Sequence, residues 1–191
     1  MKKTFSPLLL TVAILVLGAG SASGLDITTR LLQAKPGSWI RTYYAPAETR
    51  YVTRVTEVTG QGPNLIVTLQ MYSENSSGGA PAMRLKLGGA YIKDNGIDAD
   101  SPSAIPATIQ VQGTEYAVTV LERTLPSGEV MRNYFSADIP VSGLVRVETG
   151  VVAGVPAAVI DLVGYGFEPE PGMPDPQAGE IANDRFGIPL P

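Results

Sequence analysis

Histidine and cysteine are both absent from the 191 residues of this chain. Without imidazole, Ser-His-Asp and Cys-His nucleophilic catalysis is unavailable, and nearly all catalytic zinc, copper and non-haem iron sites are excluded. Without thiols there are no disulfides, so stability must come from a core, which a 44% hydrophobic composition can supply. These absences predict a non-enzymatic protein with no catalytic residue, metal or cofactor. A hydrolase that uses only paired carboxylates is the enzymatic alternative that survives.

The first 23 residues have the three-part order of a secretory signal peptide. Lys2 and Lys3 are basic, residues 8–17 are apolar apart from one threonine, and residues 18–24 are all small. The apolar run is too short to span a bilayer comfortably, although an N-terminal membrane anchor is the alternative. We therefore expect a signal peptide at 1–23 and export to the periplasm or the extracellular medium.

Charge weighs against a nucleic-acid partner. Cleavage after Ser23 removes two of the 14 basic residues and none of the 18 acidic ones, which leaves a net charge of 12 − 18 = −6. Binding to a phosphate backbone needs a basic face. We expect no nucleic-acid partner, and the sequence leaves the oligomeric state open.

The stretch 36–166 has the pattern of a β domain. Apolar residues alternate with polar ones in residues 65–71, 83–87, 109–112 and 116–120, which is typical of strands with one buried face. Turn residues and short links between these runs favour antiparallel pairing. The predicted fold class is all-β to β-rich α+β: a single curved, mainly antiparallel sheet, an open half-barrel, with at most one or two short helices. The predicted core positions are Leu65, Val67, Leu69, Leu85, Leu87, Val118, Val120, Val145 and Leu162.

The segments that flank this domain have different patterns. Residues 24–35 are an N-terminal lead-in, in which Asp26–Lys35 is open to either a short helix or coil. Residues 167–191 are rich in proline, with six of the chain's sixteen prolines from Glu168 onwards. Because proline cannot donate to a sheet ladder, we expect an extended, solvated tail there; a tether or docking strand is the alternative.

Three segments carry a resemblance to a known kind of protein. They are PGSWIRTY at 36–43, DIPVSGLVRVE at 138–148 and IDLVGYG at 160–166. They are similar to the G-x-W-x-x-Y, V-P-x-G-G-L-V-K-x-E and E-L-V-D-Y-G patterns of a family of uncharacterised secreted bacterial proteins, which resembles the Lol-type lipoprotein-carrier half-barrel. The resemblance covers roughly residues 36–166 and implies an open half-barrel with a concave apolar face and a lipid or other apolar ligand. Ser142 stands where the pattern has glycine and Arg146 where it has lysine, and neither residue carries chemistry.

The candidate site follows from that concave face. Trp39 and Tyr43 share one face of their strand, while Ile40 and Tyr44 share the other. The predicted apolar lining is Trp39, Tyr43, Leu85, Leu87, Val118 and Val120. Ordinary core and edge packing of the aromatic residues is the alternative.

Acidic residues provide two weaker candidates. Asp94, Asp98 and Asp100 have carboxylates that Ca²⁺ prefers, although a solvated turn explains the spacing better. Glu115, Glu122, Glu129 and Glu148 lie on or beside predicted hairpin strands, where a pair could meet across a ladder.

Two functions from different classes are consistent with these patterns. The first is an exported protein that binds a lipid or other apolar molecule on a concave sheet face. The alternative is a structural or protein-interaction module of the cell envelope that has no small-molecule ligand and whose proline-rich tail engages a partner.

Overall fold

The computed structural model describes residues 34–61, 64–74, 83–88, 104–124, 128–150, 156–170 and 181–185. The strands are β1 (Trp39–Tyr44), β2 (Thr49–Thr59), β3 (Ile66–Ser73), β4 (Met83–Gly88), β5 (Ala104–Val111), β6 (Thr114–Thr124), β7 (Val130–Phe135), β8 (Leu144–Gly150), β9 (Pro156–Gly166) and β10 (Ile181–Arg185). A 3₁₀ turn lies at Ala45–Ala47, and within these ranges no residue belongs to an α-helix. The described residues contain no helix with the length and hydropathy needed to cross a membrane.

All ten strands belong to one open sheet in the order β10-β4-β3-β2-β1-β9-β8-β7-β6-β5. Every neighbouring pair is antiparallel except β10 and β4, which are parallel. The sheet curls enough that β5 and β9 come into contact, although three strands lie between them in the sheet order. The predicted fold class, a single curved and mainly antiparallel sheet, is confirmed.

A tight two-residue turn joins β5 to β6. Gln112 and Gly113, the two residues between β5 and β6, have φ of 52° and 80°. Positive φ at both central positions is typical of the type I′ turn, whose twist matches that of paired strands. Glycine tolerates this conformation because it has no Cβ.

One face of the sheet, here named the core face, carries most of the large apolar side chains. Cross-strand register places Leu85, Leu69 and Val55 side by side on it, and the same register continues through Ile40 to Ile160 and Val147. The nine predicted core residues are all buried, with at most 8% of each side chain exposed. Burial of each large side chain stabilises the fold by about 1.5–3 kcal/mol. The sequence prediction of the core is therefore confirmed.

The connection between β7 and β8 is itself part of the core. Ile139 and Val141 are 0% and 2% exposed and belong to the same buried cluster as the core-face side chains. The Ser136 N–H donates to the Gly143 carbonyl at 2.8 Å and closes the loop at its base. Gly143 has a φ of 72°, a conformation that glycine adopts readily because it has no Cβ. This connection therefore packs into the apolar core. We name residues 136–143 the core loop.

The apolar stripe changes face at β7. Register pairs Val120 with Tyr134 and Tyr134 with Arg146, so Val118 and Val120 lie on the face opposite Leu85. We name this second face the outer face. The last three residues of β7, Asn133 to Phe135, are all buried, so side chains on both faces of this strand are covered.

The C-terminal segment differs from its sequence prediction. Residues 181–185, expected to be part of a solvated tail, form β10 and pair with β4 in parallel from Ile181 opposite Met83 to Arg185 opposite Leu87. Residues 167–170 lie against β1, as described below. Composition missed both contacts because the run from Ile181 to Arg185 contains no proline and its partner edge is almost 100 residues away in sequence. The lead-in stretch 26–33 lies outside the described residues, while Ala34 and Lys35 belong to no regular element.

Candidate functional site

The six residues predicted to line one apolar site lie on two faces of the sheet. Trp39 and Tyr43 lie on the outer face, because register places them opposite Arg54 and Asp161. Val118 and Val120 are also on the outer face, several strands away. Leu85 and Leu87 lie on the core face, at 8% and 0% exposure. Leu85, Leu87, Val118 and Val120 nevertheless belong to one buried apolar cluster, which does not include Trp39 or Tyr43.

The indole of Trp39 packs against two glycines of β9. A Cβ added at Gly166 would be 2.6 Å from Trp39 Nε1, and one added at Gly164 would be 3.6 Å from the ring. Glycine in a strand often marks such a close approach. The indole is consequently 7% exposed, although it points to the outer face.

Arg41 covers the other side of the indole. Its guanidinium carbon is 5.0 Å from the centroid of the Trp39 ring, a cation–π contact. Arg41 Nε donates to Glu74 Oε1 and Arg41 Nη2 donates to Glu170 Oε2, both at 2.6 Å. Burial of Arg41 by itself lowers its pKa, but the hydrogen bonds and charges of Glu170 and Glu74 outweigh burial and raise the pKa above its ordinary value. The guanidinium is thus a fixed cation that joins β3 to the C-terminal segment.

The C-terminal segment 167–170 completes this arrangement. Trp39 Nε1 donates to the Glu168 carbonyl at 3.0 Å, so the indole N–H is satisfied by main chain. Pro169 packs against Gly37, whose φ is 94° and whose added Cβ would be 2.8 Å from Pro169 Cδ. We name the surface formed by Gly37, Trp39 and Arg41 the β1 groove. It holds the Glu-Pro-Glu stretch at 168–170 through a main-chain contact, a ring contact and an ion pair.

A second polar cluster lies on the outer face of β7, β8 and β9. Arg146 Nε donates to Asp161 Oδ1 at 2.7 Å and Arg146 Nη1 lies 3.5 Å from Glu148 Oε1. The Tyr134 hydroxyl donates to Glu148 Oε2 at 2.6 Å. Burial, together with the hydrogen bond and charge of Glu148, raises the pKa of Tyr134 to about 12. The hydrogen bond to Asp161 is the largest cause of the raised pKa of Arg146.

Each carboxylate of this second cluster is bound by an opposite charge or a hydroxyl. The sequence suggested that Glu122 and Glu148 could each meet another carboxylate across a ladder. In the structure Glu148 lies beside Arg146 and Tyr134, while Glu122 pairs with Arg132. The cluster is suited to holding strands together. Asp94, Asp98 and Asp100 lie outside the described residues.

Sequence reasoning identified Trp39 but missed its partners. Arg41, Glu74 and the pair Glu168 and Glu170 meet from three separate parts of the chain, with up to 129 residues between hydrogen-bonded partners. The alternation of glycine at 164 and 166 in β9 was the available signal, because it indicates a large side chain lying flat on that strand.

Comparisons with known proteins provide no functional assignment. No protein-family model matches the chain, and no curated protein matches it. Among solved structures, a hypothetical protein from Chlamydia trachomatis is similar, with a TM-score of 0.39 and 11% sequence identity over 78% of this chain and 96% of that one.

Proposed function

We propose that this chain is an exported, non-enzymatic protein-interaction module of the cell envelope that recognises extended polypeptide. The observation that supports this best is the β1 groove, where Trp39, Arg41 and Gly37 hold an extended segment by contacts of three kinds. A fixed indole donor, an aromatic surface next to proline and an arginine for a carboxylate are the features by which proteins bind proline-containing peptides.

The burial of the core-face side chains also favours an interaction module over a lipid carrier. Val67 and Leu87 are 0% exposed and Val55 is 1% exposed, and the core loop packs in the same cluster. A lipid could contact these side chains only if this buried cluster opened. Binding in the β1 groove leaves the cluster undisturbed, because the groove lies on the other face.

The apolar-ligand function remains the second candidate, together with the Lol-type resemblance that implies it. Ile105 and Phe167 are 54% and 53% exposed, and Phe167 stacks edge-on against Tyr165 with ring centroids 6.2 Å apart. Exposed aromatic side chains of this kind can contact an apolar molecule at the surface. Export itself rests on the signal-peptide pattern of residues 1–23, which lie outside the described residues.

Native mass spectrometry separates these two functions. The protein is released from bacterial envelopes without detergent, and it is also incubated with excess palmitate and phosphatidylethanolamine. The module function predicts the mass of the chain, free or with a protein partner, and no lipid adduct. A stoichiometric lipid adduct that survives exchange into volatile buffer would favour the carrier and contradict the proposal.

A further inference from the structure

The β1 groove contacts three features of the segment that occupies it. The Trp39 indole binds the carbonyl that precedes Pro169, the proline ring lies over Gly37, and Arg41 binds the carboxylate that follows. The carbonyl contact is independent of side-chain identity, whereas the ring and carboxylate contacts select proline and an acidic residue. The chemical pattern recognised is therefore an x-Pro-Glu segment.

The groove holds this shape through contacts outside the bound segment. Glu74 fixes the Arg41 guanidinium through Nε and leaves Nη2 for the bound carboxylate. Gly164 and Gly166 fix the plane of the Trp39 indole from below. A site whose donors are already oriented loses less entropy when it binds, which is what a recognition site requires.

We propose that the β1 groove is a binding site for x-Pro-Glu segments of another protein, and that Glu168–Glu170 fills it as an intramolecular competitor. This inference rests on the proposed interaction function and names the class of partner segment. The bound segment belongs to the same chain, so it acts at a high effective concentration and keeps the groove closed to weak ligands. A partner gains access when it presents the same chemistry with more contacts, or when the contact between Glu170 and Arg41 is weakened.

The test uses the full chain with one substitution in the competitor. Glu170→Gln removes the charge that Arg41 binds and leaves the groove residues unchanged. The probe is a synthetic peptide with the sequence of residues 166–172, GFEPEPG. Binding is followed by the fluorescence of Trp39, which is the only tryptophan in the chain. Glu115→Gln is the matched control, because it removes the same charge from an exposed position at the β5–β6 turn.

We expect the Glu170→Gln variant to bind the peptide about two- to fivefold more tightly than the wild-type chain or Glu115→Gln, since loss of the charge from a partly exposed ion pair weakens the competitor by about that factor. The peptide GFEPQPG should bind the variant more weakly than GFEPEPG by a similar factor. Circular dichroism and thermal unfolding check that the variant remains folded.

Three results would overturn the proposal. The first is the absence of a fluorescence change up to millimolar peptide, and the second is equal binding of the Glu and Gln peptides. The third is a concentration-dependent dimer of Glu170→Gln in sedimentation, which would make a second copy of this chain the occupant. These outcomes are distinct from failure of the interaction function as a whole, which a stoichiometric lipid adduct would indicate.

Discussion

At the residue scale, the account depends on how close an aromatic ring lies to a strand. Trp39 occupies the outer face at low exposure because Gly164 and Gly166 have no side chains to hold it away. The two glycines differ in how much space they leave, and this difference provides a matched pair of substitutions.

Gly166→Ala should displace the indole, because the new Cβ would be 2.6 Å from Trp39 Nε1. We expect a red shift of the tryptophan emission and a loss of about 1–3 kcal/mol in the free energy of unfolding, as in other overpacked sites. Gly164→Ala is the control, since its Cβ would be 3.6 Å from the ring, an ordinary contact. Identical spectra and stabilities for the two variants would show that the indole does not lie on Gly166.

Tyr134 should make the fold sensitive to alkaline pH. Its pKa is raised from 10.0 to about 12, so the folded state opposes loss of the hydroxyl proton. The stabilisation is fully present below pH 10 and is lost as pH rises through about 12, by an amount on the order of 2 kcal/mol. Urea unfolding of the wild-type chain and Tyr134→Phe at pH 8 and pH 11.5 measures this change.

The wild-type chain should lose more stability between these two pH values than Tyr134→Phe does. The variant starts from a lower stability at pH 8, because it lacks the hydrogen bond to Glu148. Equal losses in both proteins would mean that Tyr134 titrates normally.

At the element scale, the core loop packs in the same buried apolar cluster as the core-face side chains. The apolar residues Ile139 and Val141 sit in a connection, where burial is unusual because backbone polar groups need partners. Here the bonds from Ser136 N–H to the Gly143 carbonyl and from Gly143 N–H to the Pro140 carbonyl supply some of them. The sequence pattern predicted the turn but not its direction, because direction depends on which face of the sheet is free to receive it.

Ile139→Ala should destabilise the fold strongly, since Ile139 is 0% exposed. Truncation of a buried isoleucine costs about 2–5 kcal/mol, and chemical denaturation measures it directly. The adjacent Asp138→Ala is the control, because Asp138 is exposed and its substitution should change stability by less than about 0.5 kcal/mol. A loss below about 1 kcal/mol for Ile139→Ala would place the loop outside the core.

The parallel pairing of β10 with β4 can be tested with engineered cysteines, since the chain has none of its own. Lys86 and Asp184 lie directly opposite each other in the ladder. The double variant Lys86→Cys, Asp184→Cys should form a disulfide within one chain on mild oxidation, visible as faster migration without reductant. The control pair Lys86→Cys, Ala182→Cys is two residues out of register and should stay reduced. Equal oxidation of both pairs, or a disulfide-linked dimer, would contradict the register.

At the scale of the whole molecule, local patterns predicted the sheet but not what packs on it. The alternation of apolar and polar residues predicted the strands and the core residues, because both depend on residues that are close together in sequence. The β1 groove joins residues 37–41, 74 and 168–170, and β10 joins the C-terminus to β4. Such long-range contacts leave little trace in composition, and the prolines that suggested a solvated tail instead suit an extended segment in a groove.

The difference between local sequence patterns and long-range strand pairing also explains where the predicted lining residues lie. Trp39, Leu85 and Val118 were grouped because each lies in an apolar alternation, yet alternation fixes a face only relative to its own strand. Register across neighbouring strands places Leu85 on the core face and Trp39 and Val118 on the outer face. One sequence cannot provide that register when the stripe changes face at β7.

The central claim is that the C-terminal segment occupies the β1 groove, and the indole N–H of Trp39 tests it most directly. As the only tryptophan, Trp39 gives a single indole resonance in a ¹⁵N–¹H correlation spectrum. The account predicts slow hydrogen exchange at Nε1, because it donates to the Glu168 carbonyl, and faster exchange in Glu170→Gln than in Glu115→Gln. An indole N–H that exchanges at the rate of free tryptophan in the wild-type chain, unchanged by Glu170→Gln, would contradict it.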